Sequence, residues 1–283
     1  MFAVFALLSA LCYGAADFLG GFTARQANTL AVVVVSQLAG LLLLLMMLPL
    51  FPHAAPGRAD VLWGALAGVT GGGGVALLYR ALAIGVMAAV APTTAVCAVV
   101  IPVIVSVALG ERPGATTFAG IALALVAIVL VSQSSDGASG TRREGDERRT
   151  KAFFLAVLSG VVIGFFFVAL SRTSSQAGLW PLVVARTVSV GLFAVMAVLA
   201  SQSLRIPAAI LGIVAAAGAL DMLANFLYLI ASRAGPLSVV VTLASLYPAS
   251  TVVLARLVLH ERLSARQWVG VACALVAVAV IVR

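Results

Sequence analysis

Ten apolar stretches of about 18–25 residues constrain this chain most, because each can cross the roughly 30 Å hydrocarbon core of a bilayer as a helix. The chain has 283 residues, of which 63% are hydrophobic and only 9% are charged. Soluble domains carry about 25% charged residues. The sequence therefore predicts an all-α, multi-pass integral membrane protein with ten helices near residues 2–22, 29–50, 60–80, 86–109, 114–132, 152–171, 178–200, 207–231, 236–259 and 264–282.

The segment 235–277 repeats an earlier segment, 85–127, at one constant displacement. The matches pair Gly85 with Gly235, Glu111-Arg112 with Glu261-Arg262, and Gly120 with Gly270. The same displacement also pairs Gly14 with Gly164 and Gly68 with Gly218, so the repeat unit is half of the chain rather than a solenoid period. We therefore predict a first five-helix repeat over 1–132 and a second over 152–283.

The odd number of helices in each repeat determines how the two halves are oriented. After five crossings the chain re-enters the membrane from the opposite side, so the two repeats are inverted. Inverted repeats are the usual plan of secondary transporters, which bind their substrate near the membrane midplane between the halves. The step from repeat to transport is an analogy at the level of the fold.

The basic residues lie mainly in the connectors between apolar stretches, although the net charge of the chain is +8. Basic connectors that flank a membrane are explained by lipid headgroups and by topology. No soluble basic patch is left over, so we expect the lipid bilayer and no nucleic acid as a partner. The longest connector, 133–151, mixes basic, acidic, Ser and Gly residues and is predicted to be a solvated linker between the halves.

Three sequence features together suggest a family. Each predicted half ends in a helix, a turn containing Glu-Arg, and a second helix; the first helix contains YGAADFLGG, and the second half contains LYPASTVVLARLVLHERLS. Over essentially its whole length the chain resembles the EamA-type family of the drug/metabolite transporter superfamily. The resemblance implies a transporter, commonly an exporter of amino acids or other small metabolites, often driven by proton exchange. One departure is that Ala98 aligns with Pro248, while the first half has Pro102 one helical turn later.

Charged residues inside the predicted helices are the main candidates for function, because a charge at the bilayer centre costs at least about 2.5–3.5 kcal/mol. Four qualify: Asp17, Arg186, Asp221 and Arg256. Their formal charges cancel, so they form either two buried ion pairs that lock helices together or a polar cavity that binds substrate and protons.

Polar residues at helical spacing extend these candidates into stripes. Ser9, Tyr13 and Asp17 share one face of the first helix, and Asp221, Asn225 and Tyr228 share one face of the eighth. Single hydroxyls in such stripes also serve helix packing. We assign the pathway of substrate and protons to Tyr13, Asp17, Arg186, Asp221, Asn225, Tyr228, Thr242, Ser245 and Arg256.

The expected mechanism is proton-coupled alternating access. Asp17 or Asp221 would be ionised when the cavity opens and neutral when it is occluded, so that rocking of the halves loads and unloads a proton. A cavity with both signs of charge suits a zwitterion such as an amino acid, with Tyr13, Tyr228 and Tyr247 as flat walls. A drug-like compound is also compatible with this cavity.

Two other classes of function stay open. Asp17 and Asp221 could form the pair of an intramembrane aspartyl hydrolase, but neither lies in a Gly-x-Gly-Asp segment, so we expect a non-enzyme. A passive channel is the other alternative. His53 and His260 sit outside the apolar stretches, so no metal or cofactor is expected. We expect the protein in the inner (plasma) membrane, and its orientation and any homo-oligomer stay open.

Overall fold

The computed structural model describes residues 2–50, 55–108, 115–132, 142–234, 243–244, 246–260 and 264–281. Within these ranges the secondary structure is helical and includes no strand. The helices are α1 Phe2–Ala24, α2 Thr29–Met47, α3 Arg58–Ile84, α4 Met87–Ala108, α5 Ala115–Ser132, α6 Arg142–Ser171, α7 Trp180–Leu199, α8 Ala208–Ala234, α9 Tyr247–Val258 and α10 Ala265–Ile281.

Six helical segments in the described part of the chain are long and apolar enough to cross a membrane. They are Phe2–Ala24, Thr29–Leu50, Arg58–Ile84, Asp146–Leu170, Trp180–Leu199 and Ala208–Ala231. Shorter apolar segments lie within α4, α9 and α10. The expectation of a helical, multi-pass membrane protein is therefore confirmed.

Helix α6 differs from its predicted boundary. It begins at Arg142, whereas the sequence predicted a helix from 152 after a solvated linker. The segment from Arg142 to Lys151 contains mostly Arg, Glu and Lys, which are good helix formers. A charged composition predicts contact with water, and a helix that extends beyond the membrane satisfies it as well as a loop does. The division into two repeats and a linker stays a prediction.

Proline positions also refine the sequence reading. Pro92 and Pro102 lie inside α4, while Pro248 lies in the first turn of α9. The first turn tolerates proline because its N–H groups have no partner within the helix. Pro248 therefore starts the described helix rather than kinking it.

Most of the closely packed helix pairs exchange with one another when the two halves of the chain are exchanged. Helix α1 packs on α8 as α3 packs on α6; α2 packs on α8 as α7 packs on α3; and α1 packs on α9 as α6 packs on α4. Three further pairs are unchanged when the halves are exchanged: α2 with α7, α4 with α9, and α5 with α10. The two halves thus interleave.

One hydrogen bond occurs at the same place in both halves. The Ser9 hydroxyl donates to the carbonyl oxygen of Ala224 at 2.8 Å, and the Ser159 hydroxyl donates to that of Gly74, also at 2.8 Å. The displacement that pairs Gly85 with Gly235 also relates these two bonds. The sequence repeat is therefore accompanied by a repeat of specific contacts.

The glycine run 71–74 allows α3 to pack closely on α6 and α7. A Cβ atom added at Gly71 would lie 2.8 Å from Phe166, and one at Gly74 would lie 2.5 Å from Ile163. At Gly72 an added Cβ would collide with Ser189 of α7. Small residues at such crossings let helix backbones approach in a membrane. The glycine run therefore serves close helix packing, and α3 continues through it unbroken.

Candidate functional site

Arg186 and Asp221 form an ion pair between α7 and α8. Their side chains are 12% and 14% exposed, so the pair is largely removed from solvent. Each charge compensates the other, which lowers the cost of placing either one inside a membrane-spanning helix. Of the two ion pairs that the sequence allowed, this one is present.

A chain of hydrogen bonds joins α1 to this pair. The Tyr13 hydroxyl donates to the side-chain oxygen of Asn225 at 2.9 Å. The Asn225 side-chain nitrogen donates to the backbone carbonyl of Asp221 at 2.8 Å. The predicted polar stripes of the first and eighth helices therefore face each other where α1 and α8 cross.

Asp17 lies one helical turn after Tyr13 and is 8% exposed. No hydrogen bond or ion pair joins it to another residue in the described part of the chain. It interacts electrostatically with Asp221 and with Tyr247. Asp17 is therefore a buried carboxylate without a cationic partner among these residues.

Arg256, the fourth charged residue predicted to lie inside the helices, is located elsewhere. It lies in the last turn of α9, is exposed, and has its guanidinium carbon 5.7 Å from the centre of the Trp268 ring. The sequence predicted a ninth helix over 236–259 with Arg256 inside it, but the described helix begins at Tyr247, and Arg256 lies in its last turn. The second predicted ion pair is absent from the described residues, and Arg256 is not part of the site.

The remaining predicted residues divide into two groups. Tyr228 is half-buried on α8 beside Phe2, Phe5 and Leu243 and interacts electrostatically with Tyr13. The Tyr247 ring meets the Tyr13 ring edge-on, with the ring centres 6.1 Å apart. Thr242 and Ser245 lie outside the described residues.

Tyr79 of α3 was missed by the sequence reading. It is 2% exposed, and its ring packs against Gly20. It interacts electrostatically with Asp17, Asp221 and Arg186. The available signal was a tyrosine within a long apolar helix, together with the polar pair Ser36-Gln37 in the middle of α2. We call Tyr13, Asp17, Tyr79, Arg186, Asp221 and Asn225 the polar centre.

Two hydrogen bonds outside the polar centre join connectors of opposite halves. The Asn28 side-chain nitrogen donates to the side-chain oxygen of Gln202, linking the α1–α2 and α7–α8 connectors. Asp60, near the start of α3, accepts from the backbone N–H of Ser174 at 2.7 Å and from that of Gly57 at 3.0 Å. Exchanging the halves converts the first pair of connectors into the second pair.

These two contacts lie at opposite ends of the helix bundle. The Arg25 side chain, next to the Asn28 connector, donates to the carbonyl oxygens of Leu82 and Gly85 at the C-terminal end of α3. Asp60 is at the other end of the same 27-residue helix, roughly 35 Å away at 1.5 Å per residue. The halves are therefore connected at both ends, with the polar centre between them.

The polar centre contains two carboxyl groups, Asp17 and Asp221, and one guanidinium group, Arg186. When all three are charged, one negative charge is uncompensated. It also presents hydroxyl and amide groups that donate and accept hydrogen bonds. Intramembrane groups of this kind usually face the path of an ion or substrate. The arrangement can therefore bind a proton or a cation at Asp17.

Comparison with known proteins agrees with this architecture. No curated protein sequence matches the chain. A solved structure titled "Crystal structure of protein" superposes with a TM-score of 0.58 and 15% sequence identity, covering 96% of this chain and 95% of the other. At this identity the likeness concerns the fold alone.

The family comparison is more specific. The model of the EamA-like transporter family matches residues 1–133 and, a second time, residues 150–283. The two matches cover almost the whole chain, one in each half. The protein is therefore a multi-pass membrane protein that belongs to the EamA-like transporter family.

Proposed function

We propose that the protein is a secondary active transporter that exports a small molecule across the inner (plasma) membrane in exchange for protons. Ten membrane-spanning helices would form two inverted five-helix repeats, with the polar centre between them. The observation that carries this proposal is Asp17, a buried carboxylate without a cationic partner among the described residues, located where α1 of the first half packs on α8 of the second.

The exchange of packing pairs supports the two-fold arrangement. An inverted pair of halves can rock about an in-plane axis, so that one central site faces each side in turn. The contacts Asn28–Gln202 and Asp60–Ser174 occupy related positions at opposite ends. In this proposal each contact closes one side of the pathway and must open once in every cycle.

Proton coupling is assigned to Asp17 rather than to Asp221. The Asp221 carboxylate is already engaged by the Arg186 guanidinium. Asp17 has no such partner, and its charge state can change as the halves open and close around it. The interaction between the two carboxylates means that a charge on one affects protonation of the other.

The geometry does not support the hydrolase alternative. Two aspartates that act as a catalytic pair share one proton between adjacent carboxyl groups. In this protein the Asp221 carboxylate is occupied by the Arg186 guanidinium instead. A transporter therefore explains why Asp17 and Asp221 have different surroundings, whereas a hydrolase explains neither the pairing of Asp221 with Arg186 nor membership of a transporter family.

The experiment that tests the proposal is flux in proteoliposomes with an imposed pH gradient. The native protein is compared with Asp17→Asn, using a panel of labelled amines, amino acids and organic acids. We expect gradient-driven movement of one class of compound, and loss of the pH dependence in Asp17→Asn. Movement that ignores the pH gradient would contradict proton coupling, and no movement by folded protein would contradict transport.

Cross-linking tests alternating access separately. Cys12, Cys97 and Cys273 are free and can first be replaced by alanine. Cysteine pairs are then placed at 28 with 202, or at 60 with 174, and joined with a short bifunctional thiol reagent. Each cross-link should stop transport, and a cleavable reagent should restore it on cleavage. Full transport with either pair joined would contradict the proposed opening at that end.

A further inference from the structure

The charges of the polar centre are not balanced. Arg186 is paired with Asp221, which leaves no cationic group of the described residues to compensate Asp17. An uncompensated carboxylate inside a protein is costly, so the site favours either a proton or a cationic ligand at this position. The sequence instead suggested a cavity in which charges of both signs are free to bind a substrate.

Aromatic rings lie on both sides of Asp17 along α1. Tyr13 precedes Asp17 by one helical turn and packs edge-on against Tyr247 at a distance of 6.1 Å between ring centres. Gly20 follows Asp17 by three residues, and the Tyr79 ring packs directly on it. Because residues three or four apart on a helix are neighbours, both Tyr13 and Tyr79 are adjacent to the Asp17 side of α1.

A carboxylate between tyrosine rings is the chemistry that recognises an organic cation. The carboxylate supplies the opposite charge, and aromatic faces attract ammonium groups. A zwitterion would also have to place a carboxylate in the site. That carboxylate would meet Asp17 and Asp221, while the only arginine in the polar centre is already paired.

We propose that Asp17, flanked by Tyr13 and Tyr79, binds the ammonium group of a small monovalent organic cation. This inference rests on the proposed transport function and replaces its general substrate by a chemical class. The zwitterionic substrate expected from sequence is disfavoured, because that expectation needed an arginine free to bind the substrate carboxylate.

Equilibrium binding of three matched compounds to detergent-purified protein tests the proposal. Radiolabelled phenethylamine is a cation, phenylalanine adds a carboxylate to it, and phenylpropionate carries only the carboxylate. We expect phenethylamine to bind at least tenfold more tightly than either of the others. In Asp17→Asn its affinity should fall at least tenfold. Equal binding of phenylalanine, or unchanged phenethylamine binding in Asp17→Asn, would overturn the proposal, as would no binding of any compound to the native protein.

Changing the ion pair provides a control with a different readout. Asp221→Asn leaves Arg186 without its partner, so the ratio of phenethylamine to phenylalanine affinity should shift at least tenfold toward phenylalanine. If Asp221→Asn keeps the native preference for the cation while remaining folded by size-exclusion elution, the unequal charges of the polar centre do not select the ligand.

Binding and transport fail independently in this design. Asp17-dependent binding of phenethylamine without gradient-driven flux would keep the cation site and contradict the transporter. Gradient-driven flux of phenylalanine without phenethylamine binding would keep the transporter and contradict the cation site. A comparison of phenethylamine with benzyltrimethylammonium then shows whether the site needs an N–H donor.

Discussion

The contact between Gly20 and Tyr79 gives the sharpest test of how the polar centre is built. A Cβ atom added at Gly20 would collide with the Tyr79 ring, 2.5 Å from its Cε2 atom and closer still to two other ring atoms. The ring has little room to move, because Tyr79 is 2% exposed. Gly20→Ala therefore forces a shift of α1, of α3 or of the ring itself.

The expected loss of stability can be estimated from two opposing effects. Alanine is favoured over glycine inside a helix by about 0.5–1 kcal/mol. Overpacking a filled interior costs about 1–3 kcal/mol. We expect Gly20→Ala to be destabilised by up to about 2 kcal/mol on balance, and to weaken binding at Asp17 because Tyr79 is displaced.

Gly73→Ala is the matched control. It introduces the same change within α3, but the nearest atom to the added Cβ is Val162 Cγ1 at 3.8 Å, an ordinary contact. We expect this variant to be neutral or slightly stabilised. Thermal unfolding in one detergent measures both variants, and Tyr79→Leu combined with Gly20→Ala should recover part of the loss. Equal melting temperatures for Gly20→Ala and Gly73→Ala would show that the Gly20–Tyr79 contact is not tightly packed.

Three further predictions concern stability in the same assay. Ser9→Ala and Ser159→Ala each remove one copy of the repeated hydroxyl hydrogen bond, so each should lower the free energy of unfolding by about 0.5–1.5 kcal/mol. The two losses should agree within about 0.5 kcal/mol, and a large difference would contradict equivalent roles. Arg186→Ala should lower the free energy of unfolding by about 3–5 kcal/mol because it leaves Asp221 buried without its partner. Arg256→Ala should lower it by only about 0.5–1 kcal/mol because Arg256 is exposed over Trp268. A larger loss for Arg256→Ala than for Arg186→Ala would be inconsistent with the site. Asp60→Ala leaves the N–H groups of Ser174 and Gly57 without their acceptor and should cost about 1–3 kcal/mol, and an unchanged melting temperature would show that this contact does not hold the halves together.

Much of the helical architecture followed from the sequence because hydropathy and helix length are directly linked in a membrane. The predicted 29–50 and 178–200 correspond closely to Thr29–Leu50 and Trp180–Leu199. The start of α6 was less predictable, because Arg, Glu and Lys residues require contact with water and are also good helix formers. Hydropathy indicates where a helix leaves the membrane and gives no information on where it ends.

The site was predictable in part. Helical spacing identified the stripes of α1 and α8, and the Tyr13–Asn225 hydrogen bond shows that these stripes meet. The partner of Asp17 could not be deduced, because four charges of balanced sign allow several pairings and only the packing selects among them. Tyr79 was missed because its place in the polar centre depends on packing against Gly20 of another helix, and the residue pattern within α3 does not indicate that contact.

Counterflow in proteoliposomes distinguishes alternating access from a channel, because a carrier that alternates between two sides exchanges substrate across the membrane and a channel does not. Vesicles are loaded with unlabelled phenethylamine and diluted into a trace of labelled phenethylamine, with phenylalanine measured in parallel. We expect a transient accumulation of labelled phenethylamine above its outside concentration, absent in Asp17→Asn. Simple equilibration of the label, with or without Asp17, would contradict alternating access at this site.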